Sequence, residues 1–295
     1  MTGLRVAAID ATVRQRPKVV YRQTEMEYRR TDNTPGLERE LDALKALPRP
    51  VFGHASALPN HAIGRAHRHP WAQLSYAIEG VVEVTTAAGR FVAPPLFAVW
   101  IPAGVSHGVR CAQQTTIRSL YIEPRALPQA RQSCQVIVVT PLLRELIREF
   151  SEAPVEYDEN GATGRLVRVL LDQLVSAPDA GMMLPWPQDA RLRAVCRDMQ
   201  ACVDRCKTLT EYAQALGLSE RTLSRLFLRQ TGLSFRQWRQ RLRLLEALPL
   251  LERGERVTDV AIACGYDSMS AFVAAFREQL GITPGDFTGM ARRTG

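Results

Sequence analysis

The chain has 295 residues, 46% of them hydrophobic and 23% charged, the balance of a globular protein with enough apolar surface for more than one core. It contains no run of 18 apolar residues, and its first eighteen residues lack the apolar centre of a signal peptide, so neither a membrane span nor a membrane partner is expected and a cytoplasmic protein is the expectation. The net charge of +8 suits an anionic partner, but only three of the 38 cations are lysine, so placement of the charge, not its total, has to identify that partner.

Residues 1–50 are polar and interrupted by Pro17, Pro35, Pro48 and Pro50. Apart from a short helix over 36–47, carried by Leu37, Leu41 and Leu44, they read as a partly disordered N-terminal arm. Between 51 and 140 the runs WAQLSYAIEG, VVEVTT, RFVAPP, FAVWIP, TTIRSLYIE and QVIVVT are rich in Val, Ile, Tyr and Thr and separated by Gly and Pro. Short, evenly spaced strands of this kind predict a small β-sandwich or barrel. A helical hairpin follows over 141–176, from PLLRELIREFSE and roughly 163–175, and is expected to contribute to a homodimer. The proline-containing tract SAPDAGMMLPWPQDA reads as a semi-stiff linker, set at 177–188, and Asp189 is a good N-cap for the helix after it. From 189 to 295 the pattern is helical, with seventeen basic and twelve acidic side chains. The fold class expected is thus α+β, a β domain with a helical hairpin followed by an all-α domain. The six cysteines show no disulfide framework. Cys202 and Cys206 fall at i, i+4 of a predicted helix, where they could face each other as a redox or metal pair but read more simply as buried small hydrophobes, and Cys264 reads as core.

All five histidines precede residue 110, and 67–76 reads HRHPWAQLSY. On a strand, residues two apart share a side, so His67, His69 and Gln73 would aim at one interior, with Pro70 marking a bend or an edge. In WIPAGVSHGV a turn at Pro102 and Gly104 delivers His107 as a fourth member. Imidazoles suit a divalent transition metal such as Zn, Ni or Fe, whereas the Gln73 amide is a neutral and weaker donor than a carboxylate. A metal, structural or sensed, and a metal-free pocket whose His and Gln side chains hydrogen-bond a small-molecule effector both remain open. Strand histidines without function are disfavoured by the convergence of two segments.

The helical region repeats itself. LTEYAQALGLSERTLSRLFLRQTGLSFRQW (209–238) aligns with VTDVAIACGYDSMSAFVAAFREQLGITPGDF (257–287), at an offset of 48 for Ala213/Ala261 and Gly217/Gly265 and 49 for Phe227/Phe276 and Gly232/Gly281. Each copy has the grammar of a helix-turn-helix: a short helix begun by Thr210 or Thr258, a glycine in the turn, and a second helix capped by Ser219 or Ser268. The stretch 234–254 supplies a connecting helix, which Pro249 should kink or shorten. Opposite Leu223 and Phe227 the first copy carries Glu220, Arg221, Thr222, Ser224, Arg225 and Arg229, groups able to reach base edges and phosphates of double-stranded DNA. The second copy offers Ser268, Met269, Ser270, Val273 and Ala274, with Arg277 its one cation, so the first helix should provide most direct readout and the second apolar or backbone contacts.

The motifs SERTLSRLF, TGLSF, RLRLLEALPLL, VTDVAIACGYDSMSAF and FREQLGITPGDF closely resemble the AraC/XylS family of bacterial transcription regulators over about 189–288. That resemblance implies two helix-turn-helix units joined by a long helix, inserting into successive major grooves of an operator, with contact to RNA polymerase a further expectation. Ala274 stands where many members carry arginine. The spacing Gly64-x2-HxH-x3-Gln73-x6-Gly80 followed by PxGxxH resembles the two-part cupin motif over about 54–125. It implies a barrel of six to eight strands holding a metal by three histidines and a carboxylate, with Gln73 here in the carboxylate's place. HxH with FAVWIPAGVSH, LYIEP and PLLRELI resembles the branch of the family with cupin sensors that includes NimR-like regulators and the repressor of iron proteins. Together these lead to a DNA-binding regulator, activator or repressor, whose cupin domain senses a metal ion or small molecule. The alternative is a cupin metalloenzyme of dioxygenase or isomerase type with an appended DNA-binding domain.

Overall fold

The computed structural model describes residues 40, 41, 43–55, 61–111 and 115–294. Of the arm expected over 1–50, residues 1–39 lie outside the described residues, and residues 40, 41 and 43 are helical. The β-branched and aromatic runs that follow pair into two antiparallel sheets. Their strands are β1 (Val51–Phe52), β2 (Ala72–Glu79), β3 (Val82–Thr86), β4 (Gly89–Ala93), β5 (Phe97–Ile101), β6 (His107–Cys111), β7 (Thr116–Ile117), β8 (Leu120–Ile122), β9 (Gln135–Val138) and β10 (Met183–Pro185). The larger sheet runs β1-β8-β2-β5-β9, with β7 added to β2; the smaller runs β10-β4-β3-β6.

Alternation along β2 divides the larger sheet's two faces. Leu74 and Tyr76, with Ala98, Trp100, Leu120 and Ile122 of neighbouring strands, pack on α1 (Pro141–Glu152) and α2 (Ala162–Ser176), chiefly through Leu143, Ile147, Phe150, Leu170 and Leu174. Burying each such side chain is worth roughly 1.5–3 kcal/mol. Trp100 Nε1 donates to the Arg131 carbonyl at 2.9 Å, which satisfies its one buried polar atom. Thr140 caps α1 by accepting from the Leu143 N–H, and Pro141 occupies the first turn where its missing N–H costs nothing. The opposite face of the larger sheet, including Val99 and Ile101, closes on Val82, Val84, Phe91 and Val109 of the smaller one.

The tract expected as a semi-stiff linker over 177–188 is instead part of the sheets. Within it β10 pairs with β4, Met183 opposite Phe91 and Pro185 opposite Gly89, and Ala180 N–H donates to the Val136 carbonyl at 2.7 Å. Proline is accommodated because β10 is an edge strand. Gly89 permits the approach, since a Cβ there would stand 2.5 Å from the Leu184 carbonyl oxygen.

The remaining chain forms α3 (Ala190–Ala201), α4 (Leu209–Ala215), α5 (Glu220–Thr231), α6 (Phe235–Glu252), α7 (Val257–Ala263), α8 (Met269–Leu280) and α9 (Pro284–Thr294). Asp189 caps α3, and Ser219 and Ser268 cap α5 and α8. The first helix of each unit starts earlier than expected. Thr208, not Thr210, caps α4 in a reciprocal box with Glu211, and Arg256 precedes α7 without a side-chain cap. The turns hold Gly217 at φ 64° and Gly265 at φ 75°, left-handed positions that favour glycine. Pro249 does not end α6, which continues to Glu252. Leu245, Ala247, Leu248 and Leu251 around it are buried, so packing outweighs a proline cost of about 3 kcal/mol. Cys202 and Cys206 do not share a helix, because α3 ends at Ala201 and a 3-10 turn spans 203–205. Cys202 is exposed, and the Cys206 thiol lies 3.0 Å from the Cys202 carbonyl oxygen. Cys264 is buried as expected, and burial pushes its thiol up to about 12.

These helices pack on the outer side of the smaller sheet. Arg90 of β4 is buried between Glu83 of β3, at 2.8 Å, and Glu246 of α6. Trp238 Nε1 donates to the Pro185 carbonyl at 2.9 Å, Arg241 to the Met183 carbonyl at 3.0 Å, and the Gly80 N–H to Glu252 at 3.2 Å. The connector helix α6 is thus tied to β4, to β10 and to the end of β2.

Candidate functional site

His67 and His107 face each other across an isolated antiparallel bridge, each backbone N–H donating to the other's carbonyl at 2.9 Å. The segment before β2 therefore lies along β6. Gly108 permits this: a Cβ there would be 2.7 Å from the Gly64 carbonyl oxygen. The Gly104 N–H donates to the His69 carbonyl at 2.8 Å, fastening the turn that delivers His107. His67, His69 and Gln73 do not share one continuous strand. The chain bends at Pro70 and Trp71, and β2 opens only at Ala72. Pairing to β6, added to parity, is what brings the four residues together.

Each imidazole is held from behind by a backbone carbonyl two residues away. His67 Nδ1 lies 3.1 Å from the Arg65 oxygen, His69 Nδ1 2.8 Å from that of Trp71, and His107 Nδ1 2.8 Å from that of Val105. A carbonyl only accepts, so Nδ1 carries the proton and Nε2 presents a lone pair. Burial lowers the His107 pKa to about 3, with the neighbouring His67 adding to the shift, and burial also lowers that of His69. The His69 and His107 rings are therefore neutral near pH 7, the form that binds metals. The possible ligand atoms of the three histidines all lie within 4.8 Å of one another. Gln73 Oε1 stands 3.1 Å from Nε2 of both His69 and His107.

Lone pairs that converge in a buried space repel unless something positive lies among them. A divalent metal fits: bonds of about 2.0–2.2 Å place tetrahedral ligand atoms about 3.4 Å apart, close to the Gln73 spacings. Turning the Gln73 amide over instead directs its NH2 at both Nε2 atoms, which satisfies His69 and His107 without a metal. His67, His69, Gln73 and His107 are all buried. His69 stacks on Trp71 with ring centroids 5.3 Å apart at 11°, and Tyr121 lies 4.8 Å from it. Sequence reasoning missed both aromatic rings. Tyr121 enters through its register opposite Gln73, which no local pattern reveals.

On α5, Leu223 and Phe227 are buried and Arg221, Arg225 and Arg229 exposed, with no ion pair among the described residues. Thr222 and Ser224 are half-buried. Ser219 accepts from the Thr222 N–H at 3.2 Å and bonds its hydroxyl at 2.9 Å, while Glu220 accepts from Thr210 at 2.7 Å. Three of the expected DNA contacts are thereby engaged in holding the unit's shape. On α8, Ser268 accepts from the Ala271 N–H at 3.1 Å, and Met269, Ser270 and Arg277 are exposed. No helix among the described residues is long and apolar enough to cross a membrane.

Residues 212–290 match the family described as a helix-turn-helix domain, and residues 50–180 match the AraC-like ligand binding domain. The chain is 36% identical over 221 residues to the HTH-type transcriptional regulator NimR of Escherichia coli (strain K12), covering 75% of this chain and 81% of NimR. It is 35% identical over 123 residues to the HTH-type transcriptional regulator RipA of Corynebacterium glutamicum, covering 42% of this chain and 35% of RipA. Among solved structures, ToxT from Vibrio cholerae O395 matches 82% of this chain and 96% of its own at 12% identity and a TM-score of 0.35.

Proposed function

Because the chain belongs to the AraC-type family of helix-turn-helix transcriptional regulators, with an AraC-like ligand binding domain ahead of its DNA-binding domain, we propose that it controls transcription in response to a divalent transition metal. His67, His69 and His107 would hold that metal, with Gln73 as a neutral fourth donor. The observation that carries the reading is the convergence of three imidazoles, with the Gln73 oxygen 3.1 Å from Nε2 of two of them, each imidazole fixed by a carbonyl behind it. A bound cation would supply the positive charge that these lone pairs face. The Gln73 amide leaves the metal's charge less compensated than a carboxylate would. That favours reversible sensing over a tightly held catalytic centre, and the regulator over the metalloenzyme.

On the DNA side, α5 and α8 would enter successive major grooves, Arg221 and Arg225 reading base edges and Arg229 a phosphate. Homodimerisation through the hairpin of α1 and α2 is part of the same reading; its exposed Leu142, Val155, Val169 and Val175 are apolar side chains that a partner would cover. Metal occupancy would act through β6, β3 and β4 on α6, whose Glu246 is paired with Arg90.

The test is a gel-shift titration of the full-length protein on its upstream intergenic DNA, without metal and with zinc, nickel or ferrous iron. A metal-dependent change in affinity that His107→Ala abolishes is the expected result. A second reading is favoured by the 3.1 Å spacing of Gln73 from two imidazoles, which suits an amide donating to both. In that case the site answers to an organic effector, and DNA affinity is indifferent to all three metals. Bound iron with oxygen consumption would instead revive the enzyme.

A further inference from the structure

The two helix-turn-helix units share a backbone plan and differ in surface chemistry at matching positions. The internal repeat sets Met269 against Glu220, Ser270 against Arg221, Val273 against Ser224, Ala274 against Arg225 and Glu278 against Arg229. The inward face of α8 is complete without the outward apolar residues, since Phe272, Ala275 and Phe276 already fill it. Met269 is 48% exposed, Ala274 is exposed and Val273 half-buried. They line an open groove of about 730 Å³ edged by Ser270, Arg277 and Glu278. Exposed Met, Val and Ala on a helix in the recognition position have no donor for base edges and, as acceptor, only the weak thioether sulfur of Met269. The one apolar group a major groove offers is the 5-methyl of thymine.

We infer that α8 reads thymine methyl groups: Met269, Val273 and Ala274 pack on the 5-methyls of adjacent thymines in one part of the operator, and Arg277 holds register on a phosphate. The inference rests on the reading that both units enter DNA, and it assigns them different codes. The arginines of α5 select guanine edges, whereas α8 selects a thymine-bearing step. Glu278 in place of Arg229 takes away a cation and adds an anion, so this half depends less on phosphate attraction and more on the methyl contacts.

The experiment begins with selection of the operator from random duplex DNA by the full-length protein. Failure to enrich any sequence overturns the DNA-reading assignment and this inference with it. In the selected operator each thymine is then exchanged singly for deoxyuridine, which removes only the 5-methyl. About fourfold weaker binding is expected at each contacted thymine, the fold-change that matches burial of one methyl-sized group, clustered in one half of the site. Met269→Gln combined with Val273→Ser, both on the outward face of α8, should make thymine and uracil equivalent there; Met269→Ala alone should weaken the discrimination. Arg225→Ala should leave it intact. Uracil tolerated at every position overturns the inference. So does a uracil penalty that survives unchanged in the Met269→Gln/Val273→Ser variant.

Discussion

Arg90→Met removes the guanidinium that joins the β domain to the connector helix. Arg90 and Glu83 are 7% and 6% exposed and lie 2.8 Å apart, and the second arm of Arg90 reaches Glu246 of α6. Methionine keeps most of the volume, so little packing is lost and electrostatics decide the outcome. Two carboxylates then face each other across the interface without the cation between them. Removing one partner of a buried ion pair costs about 3–5 kcal/mol. Water still reaches the Glu246 side chain, which is 22% exposed, so the lower end, about 3 kcal/mol, is expected. For a chain of this size that corresponds to a fall of roughly 5 °C in the midpoint of thermal unfolding. Circular dichroism melts measure it, and the triple variant Arg90→Met/Glu83→Gln/Glu246→Gln supplies the control by removing the stranded charges. It should regain at least half of the loss. A single variant within about 1 kcal/mol of the parent, or a triple variant no more stable than the single, would refute the reasoning.

His107→Ala should abolish the binding of zinc or nickel measured by equilibrium dialysis, whereas Gln73→Glu should tighten it by about 10–100-fold, because a carboxylate compensates the ion's charge. Equal metal affinity for Gln73→Glu and the parent would count against Gln73 as a ligand. Arg225→Ala should cost about 1–3 kcal/mol and relax preference at one base position, and Arg229→Ala should lower the salt slope by about one without altering preference. A selection experiment repeated with each variant separates the two. Asp189 caps α3 by accepting from the Arg191 and Leu192 N–H groups, and its bond to the Arg191 guanidinium heads the causes that hold its carboxyl at about 2, below the ordinary 3.8. The folded value is the depressed one, so the stabilisation is present above pH 3.8 and disappears as pH falls through 2. Asp189→Ala should therefore cost about 1 kcal/mol at pH 6. Urea titrations at descending pH should show that difference vanishing towards pH 2.

The helix-turn-helix pair was readable almost residue by residue. Buried Leu223 and Phe227, the caps Ser219 and Ser268, and the left-handed Gly217 and Gly265 are all local signals, repeated at an offset that changes by a single residue. What escaped was where neighbours overrode local preference. Pro249 stays inside α6 because its surroundings are buried, and Cys202 and Cys206 do not share a helix because α3 stops at Ala201. The tract 177–188 looked like a spacer because prolines break local pattern, yet an edge position beside Gly89 tolerates Pro185 in a strand.

By itself the amino-acid sequence determined the class of each half and the identity of the four convergent side chains, because periodicity, capping and ligand spacing are short-range and survive without a partner. Only the tertiary structure decided how those four meet. The His67–His107 bridge and the register of Tyr121 opposite Gln73 come from pairings between segments far apart in the chain. The burial that neutralises His107, and the Arg90 bridge to Glu246, likewise exist only once the two sheets and α6 have closed on one another.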